Sequence, residues 1–173
     1  MIILITGATH TGKTAIAQRL MVKYEIPYLS IDHLKMGLIR SGLTSLTPED
    51  DEELTAYLWP IVREIIRTAI ENGQSLIIEG GYIPARWFDD FDNEKRTAEI
   101  RCFCLIMTED YIKRHFDDIK KYANIVEKRI DDASLTKELL LRENAKYARF
   151  CREAVCTPIV IFDNYSRNTN IRL

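Results

Sequence analysis

Gly7-Ala8-Thr9-His10-Thr11-Gly12-Lys13-Thr14 fits the pattern G-x-x-x-x-G-K-[ST] without a mismatch. Its flanks give it the right setting. Met1-Ile2-Ile3-Leu4-Ile5-Thr6 is an apolar run of strand length, and Ala15 to Val22 forms helix readily, with apolar residues at helical spacing. A strand, a glycine-rich turn and a helix N-terminus together make an anion cradle. The glycines let backbone N–H groups turn inward, and the helix dipole favours negative charge. In such a cradle Gly7, Ala8, Thr9, His10, Thr11 and Gly12 wrap the phosphates of a nucleotide. Lys13 reaches the β and γ oxygens, and the Thr14 hydroxyl holds Mg2+. Chance yields the pattern in about one chain in two hundred of this length, before the strand and helix around it are counted. A nucleoside triphosphate is the expected ligand.

The 173 residues suit a single domain with one sizeable core. The net charge of −2 does not point to a nucleic-acid partner. The apolar runs are strand-sized, too short to span a membrane. Residues 1–6 lead directly into the glycine-rich loop, so a cytoplasmic chain without a signal peptide is expected. Cys102, Cys104, Cys151 and Cys156 form no C-x-x-C pair and have no zinc spacing. Cys102 and Cys104 alternate in an apolar stretch and are expected on one face of a strand, as small buried hydrophobes in a reducing compartment. The three histidines have no partners at metal spacing.

Strand and helix patterns alternate along the chain. Strands are expected over 1–6, 27–31, 75–78, 100–107 and 159–162, with helices to about Tyr24, from His33 to Arg40, over 48–72, from Thr108 to Tyr122 and from Lys137 to about Val155. Thr47-Pro48-Glu49-Asp50 reads as a helix start, with Thr47 as N-cap. Pro60 predicts a kink in the helix that follows. Its stripe Leu54, Tyr57, Leu58, Ile61, Val62, Ile65, Ile66 and Ala69 predicts core. Apolar strands separated by helices predict an α/β fold: a five-stranded parallel sheet with helices on both faces. Ligands in such sheets sit at the carboxyl ends of the strands. That rule gathers the phosphate loop, Asp32, Glu79 and Asp163 at one edge.

Lys128-Arg129-Ile130-Asp131-Asp132-Ala133-Ser134-Leu135-Thr136, followed by Arg142 and Tyr147, resembles the adenylate kinase family, whose lid reads R-x-D-D-x-x-x-T before a second arginine and a tyrosine. The second arginine falls two residues later here. Glu79-Gly80-Gly81-Tyr82-Ile83-Pro84-Ala85-Arg86 is similar to that family's Asp-Gly-Phe-Pro-Arg, with Pro and Arg displaced. The resemblance implies a P-loop, nucleoside monophosphate kinase-like fold with a small helical lid over about 117–136, ATP as donor and Mg2+ as cofactor. It also implies Arg129 and Arg142 on the transferring phosphates, Glu79 beside the metal, and Gly80 and Arg86 on the acceptor side. The loop Asp163-Asn164-Tyr165-Ser166-Arg167 falls where this class places the adenine, which makes Asn164 a nucleotide-binding candidate.

The acceptor half departs from that family. Ser30-Ile31-Asp32-His33-Leu34-Lys35-Met36 ends its strand in an aspartate, as do kinases of hydroxyl groups such as shikimate kinase and the zeta-toxin type. By that resemblance Asp32 binds the acceptor hydroxyl and takes its proton; capping the next helix is the other use of an aspartate here. Lys35 and Arg40 follow on roughly the same helix face and suit an anionic acceptor. The acceptor-side helical region is expected over about 33–72. The reading is an ATP-dependent kinase of a small soluble metabolite, with no obligatory protein partner. The alternatives are a nucleoside monophosphate kinase and a nucleotide-binding regulatory module without transfer.

Overall fold

Ile2–Gly7 forms strand β1, and all six of its residues are buried. A continuous apolar run of this length can be satisfied only between two layers of helices, so it takes the centre of a parallel sheet. The computed structural model describes residues 1–91, 99–122 and 135–171. Among these, β1 is followed by α1 (Lys13–Tyr24), β2 (Tyr28–Ser30), α2 (Ile31–Arg40), α3 (Asp51–Glu71) and β3 (Leu76–Glu79). A 3-10 turn (Trp87–Asp90), β4 (Ile100–Met107), α4 (Glu109–Tyr122), α5 (Lys137–Glu153), β5 (Thr157–Ile161) and the short α6 (Tyr165–Asn168) complete the order. All four strand pairings are parallel, in the order β2-β3-β1-β4-β5.

Alternate residues of β1 feed two cores. Ile2 and Leu4 pack with Leu54, Leu58, Val62 and Ile66 of α3 on one face of the sheet. Ile3 and Ile5 pack with Ile16, Ala17 and Leu20 of α1 on the other. Helices thus cover both faces. No helix among the described residues is long and apolar enough to cross a membrane.

The boundaries of β4 match those expected from sequence, and α1 ends at Tyr24 as expected. Others moved. The helix expected from residue 48 begins at Asp51, with Asp50 rather than Thr47 as N-cap. Residues 47–50 form a closed turn instead, in which the Asp50 carboxylate accepts the Thr47 N–H at 2.7 Å and the Thr47 hydroxyl at 2.9 Å. Pro60 lies on the exposed side of α3 and does not end it. Trp59, absent from the expected stripe, is buried, whereas Tyr57 is exposed. Strand β2 is shorter than expected and passes into α2 without a loop. Of the region expected as a lid, residues 117–122 continue α4, which bends at His115. Residues 123–134 lie outside the described residues.

Candidate active site

The phosphate loop leaves the end of β1 through a backbone that only glycine fits. Gly7 has φ 139°, and a Cβ there would lie 2.2 Å from the Leu105 carbonyl oxygen of β4. Gly12 has φ 80°, and its Cβ would lie 1.8 Å from the Tyr165 hydroxyl oxygen. Between them the loop is tied to itself and to the sheet. The Ala8 N–H donates to Leu105 O at 3.1 Å. The Ala8 carbonyl in turn accepts the buried Thr11 hydroxyl at 2.7 Å and the Lys13 ammonium at 3.0 Å. His10 holds a left-handed φ of 62°, with its Nδ1 2.9 Å from the Thr9 hydroxyl. The Tyr165 hydroxyl, from α6, lies 3.3 Å and 3.4 Å from the carbonyls of Thr11 and Gly12. A loop held this way presents its conformation before a ligand arrives.

Beside it, β3 ends at Glu79, which is 1% exposed. The register sets Glu79 against Ile5 of β1 and Ser30 of β2, and Thr14 donates its hydroxyl to the Glu79 Oε1 at 3.3 Å. A buried carboxylate and a hydroxyl, side by side at a helix N-terminus, form a hard-oxygen donor set that fits Mg2+.

The opposite wall begins with α2. Its N-cap is Ser30, not Asp32, and the Ser30 side chain makes no capping bond. Asp32 therefore sits in the first turn, where the helix dipole favours its charge. Its Oδ1 lies 2.9 Å from the Lys35 ammonium. Lys35 also donates to the Tyr82 hydroxyl at 2.8 Å, and Tyr82 donates to Asp51 at 3.3 Å. Burial disfavours the charge on Lys35, but Asp32 and the bonds to Tyr82 and Asp32 outweigh it and raise the ammonium's pKa. Burial raises the Tyr82 phenol, against the pull of Lys35. The result is a chain of four polar side chains that fixes where Asp32 stands.

A cavity of about 790 Å3 lies between these walls. Gly7, Thr9 and Lys13 line it from the loop, Asp32 and Lys35 from α2, and Asp51, Glu52 and Thr55 from α3. Gly81 and Tyr82 follow β3, and one face of α5 adds Glu143, Lys146, Tyr147, Arg149, Phe150 and Glu153.

The structure thus brings Lys13, Asp32 and Lys35 to one cavity and sets Thr14 and Glu79 next to each other. Gly80 adjoins the site through its neighbour Gly81. The other candidates stand apart. Arg40, at the end of α2, is exposed and does not line the cavity. Arg86 is exposed and paired with Asp89 at 2.6 Å. Arg142 is exposed on α5, one turn ahead of Lys146 on the same stripe, and is not among the cavity's walls. Arg129 lies outside the described residues. The Asn164 side chain caps α6, accepting the Arg167 N–H at 3.0 Å; from this loop it is Tyr165 that reaches the phosphate loop. Tyr82, Asp51, Lys146 and Arg149 were not singled out from sequence. Tyr82 had a signal in Glu79-Gly80-Gly81-Tyr82. Lys146 and Arg149 had only their i, i+3 spacing, which any solvated helix face shows.

No known protein-family profile and no curated protein sequence matches the chain. Solved structures match it in fold. A sugar kinase from Janibacter sp. HTCC2649 superimposes with TM-score 0.57 at 16% identity, over 97% of this chain and 89% of that one. Shikimate kinase from Bacteroides thetaiotaomicron gives 0.54 at 16% identity, covering 98% and 94%. A protein from Chloroflexus aurantiacus j-10-fl with a provisional kinase assignment gives 0.57 at 21% identity, covering 96% and 89%. The chain has the P-loop adenylate kinase-like fold.

Proposed function

We propose that this chain is an ATP-dependent phosphotransferase acting on a small, hydroxyl-bearing anionic metabolite. The observation that carries the reading is a single cavity bounded by Lys13 of the phosphate loop and by Asp32, which Lys35 and Tyr82 hold in place. Phosphoryl transfer asks mainly for alignment and for charge stabilisation. Lys13 and the backbone of residues 7–14 bind and orient the phosphates. Thr14 and Glu79 hold Mg2+, which when bound neutralises charge on the phosphate oxygens. Asp32 accepts the hydrogen bond of the acceptor hydroxyl and takes its proton. Lys146 and Arg149, which line the cavity, offer cations to an anionic group on the acceptor. Kinase names among the fold neighbours support the reaction class, while the acceptor's identity rests on the cavity alone.

The test is ATP consumption by purified protein with Mg2+, against pooled hydroxy acids, sugar acids, sugar phosphates and nucleoside monophosphates. One pool should raise turnover at least tenfold above hydrolysis in water, and Lys13→Ala and Asp32→Asn should each abolish the gain. Stimulation by nucleoside monophosphates alone would make it a nucleotide kinase. Stimulation that survives Asp32→Asn would remove Asp32 from the chemistry.

A further inference from the structure

All four cysteines of the chain meet at one place that the kinase reading does not use. Cys102 and Cys104 lie on the same side of β4 and are buried. The last turn of α5 brings Cys151 over them, and the chain turns back beyond the helix to bring in Cys156, where the Cys156 N–H donates to Ala154 O at 2.9 Å. The sulfur atoms of Cys104, Cys151 and Cys156 all lie within 4.8 Å of one another. Cys156 also packs against the core cluster that holds Cys102. None of the four is in a disulfide. Cys104 is fully buried, while Cys151 and Cys156 are half-buried, so the cluster has a deep end and an open one.

The geometry points to a three-thiolate site, Cys104, Cys151 and Cys156, for one thiophilic d10 cation, Zn2+ or Cu(I). Metal–sulfur bonds of about 2.3 Å at tetrahedral angles set sulfurs roughly 3.8 Å apart. The cluster therefore needs to contract by no more than about 1 Å to close on an ion. Thiolates select soft ions, whereas the carboxylate and hydroxyl of Glu79 and Thr14 select a hard one, so the two positions do not compete for metal. Each thiol that binds gives its proton to solvent. With Zn2+, a water completes the tetrahedron; with Cu(I), three sulfurs suffice. Cys102 is no ligand: it does not share the mutual spacing of the other three.

An ion here would staple the end of α5 to β4 directly behind the active site. Cys104 packs with Ala8 of the phosphate loop and with Tyr147, and its thiol faces the Tyr147 carbonyl at 3.9 Å. Tyr147 lines the cavity and donates its hydroxyl to Gly81 O at 3.1 Å.

The experiment uses full-length protein, chelator-treated and fully reduced under anaerobic conditions. It is titrated with Zn2+ against a chromophoric zinc chelator, and in a parallel arm with Cu(I) against a Cu(I) chelator. One equivalent of one ion should bind, with affinity falling at least tenfold in Cys151→Ser and in Cys156→Ser, while Cys102→Ser keeps the stoichiometry. At a hundredfold excess of free ion over Kd, the wild-type Tm should rise by roughly 5–10 °C. A Cd2+ titration of the unaltered protein counts thiolates through sulfur-to-metal absorption in the ultraviolet and needs no variant to fold. Absorption worth three thiolates is expected. The proposal is overturned by absorption worth fewer than three thiolates, by the absence of saturable binding in both arms, or by binding that both serine variants leave intact.

Discussion

At Gly12 two separate demands fall on one residue. Its φ of 80° is a left-handed conformation, and a Cβ would sit 1.8 Å from the Tyr165 hydroxyl and 2.9 Å from its Cζ. The first demand is local, and alanine meets it at a cost of about 1 kcal/mol. The second is a contact between the phosphate loop and a residue 153 positions away. Overpacking of that kind adds roughly 1–3 kcal/mol. Gly12→Ala should therefore lower stability by about 2–4 kcal/mol in urea denaturation and abolish ATP binding. In a Tyr165→Leu background the steric share should vanish, so that Gly12→Ala costs only about 1 kcal/mol relative to Tyr165→Leu alone. A single variant as stable as wild type would mean that Tyr165 does not press on the loop in solution. The motif marks Gly12 from sequence because the phosphate-binding turn needs it. Nothing in the sequence marks Tyr165, since its role depends on where the chain returns after β5. Asp32 shows the same division: its place after β2 and the helix face it shares with Lys35 were legible, but the Tyr82 hydroxyl that fixes Lys35 comes from a turn that follows another strand.

Among the elements, α5 carries the largest share of what the sequence left hidden. It starts cleanly: Thr136 is the N-cap, and its hydroxyl accepts the Leu139 N–H at 3.1 Å. It is then fixed to the sheet by Asn144, a buried polar side chain whose Oδ1 accepts the Met107 N–H at 2.6 Å and whose Nδ2 donates to Leu140 O at 2.8 Å. This bond joins the middle of the helix to the end of β4, and so sets which face of α5 turns Lys146 and Arg149 to the cavity. Asn144→Leu fills the same space but strands a buried N–H, at a cost of about 1–3 kcal/mol. Thermal unfolding should shift down by roughly 2–12 °C, and acceptor KM should rise while ATP affinity holds. An unchanged Tm would mean that Met107 finds another partner. The helix itself was legible in the sequence, from Lys137 to about Val155. Its orientation was not, because Arg142, Lys146 and Arg149 lie on one stripe and only tertiary packing decides which of them reach the cleft. The start of α3 was misread for a related reason: Thr47 and Asp50 suit a cap by composition, yet their side chains close a turn on each other.

For the molecule as a whole, strand order is what assembles the site. The run β2-β3-β1-β4-β5 places β1 between β3 and β4, so successive connections leave the sheet to opposite sides of β1. The phosphate loop and Glu79 end neighbouring strands although 65 residues separate Thr14 from Glu79. Alternation of strand and helix made a parallel sheet legible, and the carboxyl-end rule gathered the acids at one edge. The pairing of particular side chains across that edge lies beyond any pattern of spacing. Because the pocket forms only when β1, β3 and α2 are all in place, a ligand that fills it stabilises the entire fold. At a hundredfold excess over Kd, ATP with Mg2+ should add about 2.7 kcal/mol and raise Tm by roughly 5–10 °C. Lys13→Ala should lose most of that gain. Chelating the Mg2+ should shrink the gain in wild type but leave it unchanged in Glu79→Gln, since the amide keeps the bond from Thr14 and gives up the charge that holds the ion. If Mg2+ enhances the shift equally in Glu79→Gln, the metal is held without Glu79, and the pairing of Thr14 with Glu79 only positions the first turn of α1.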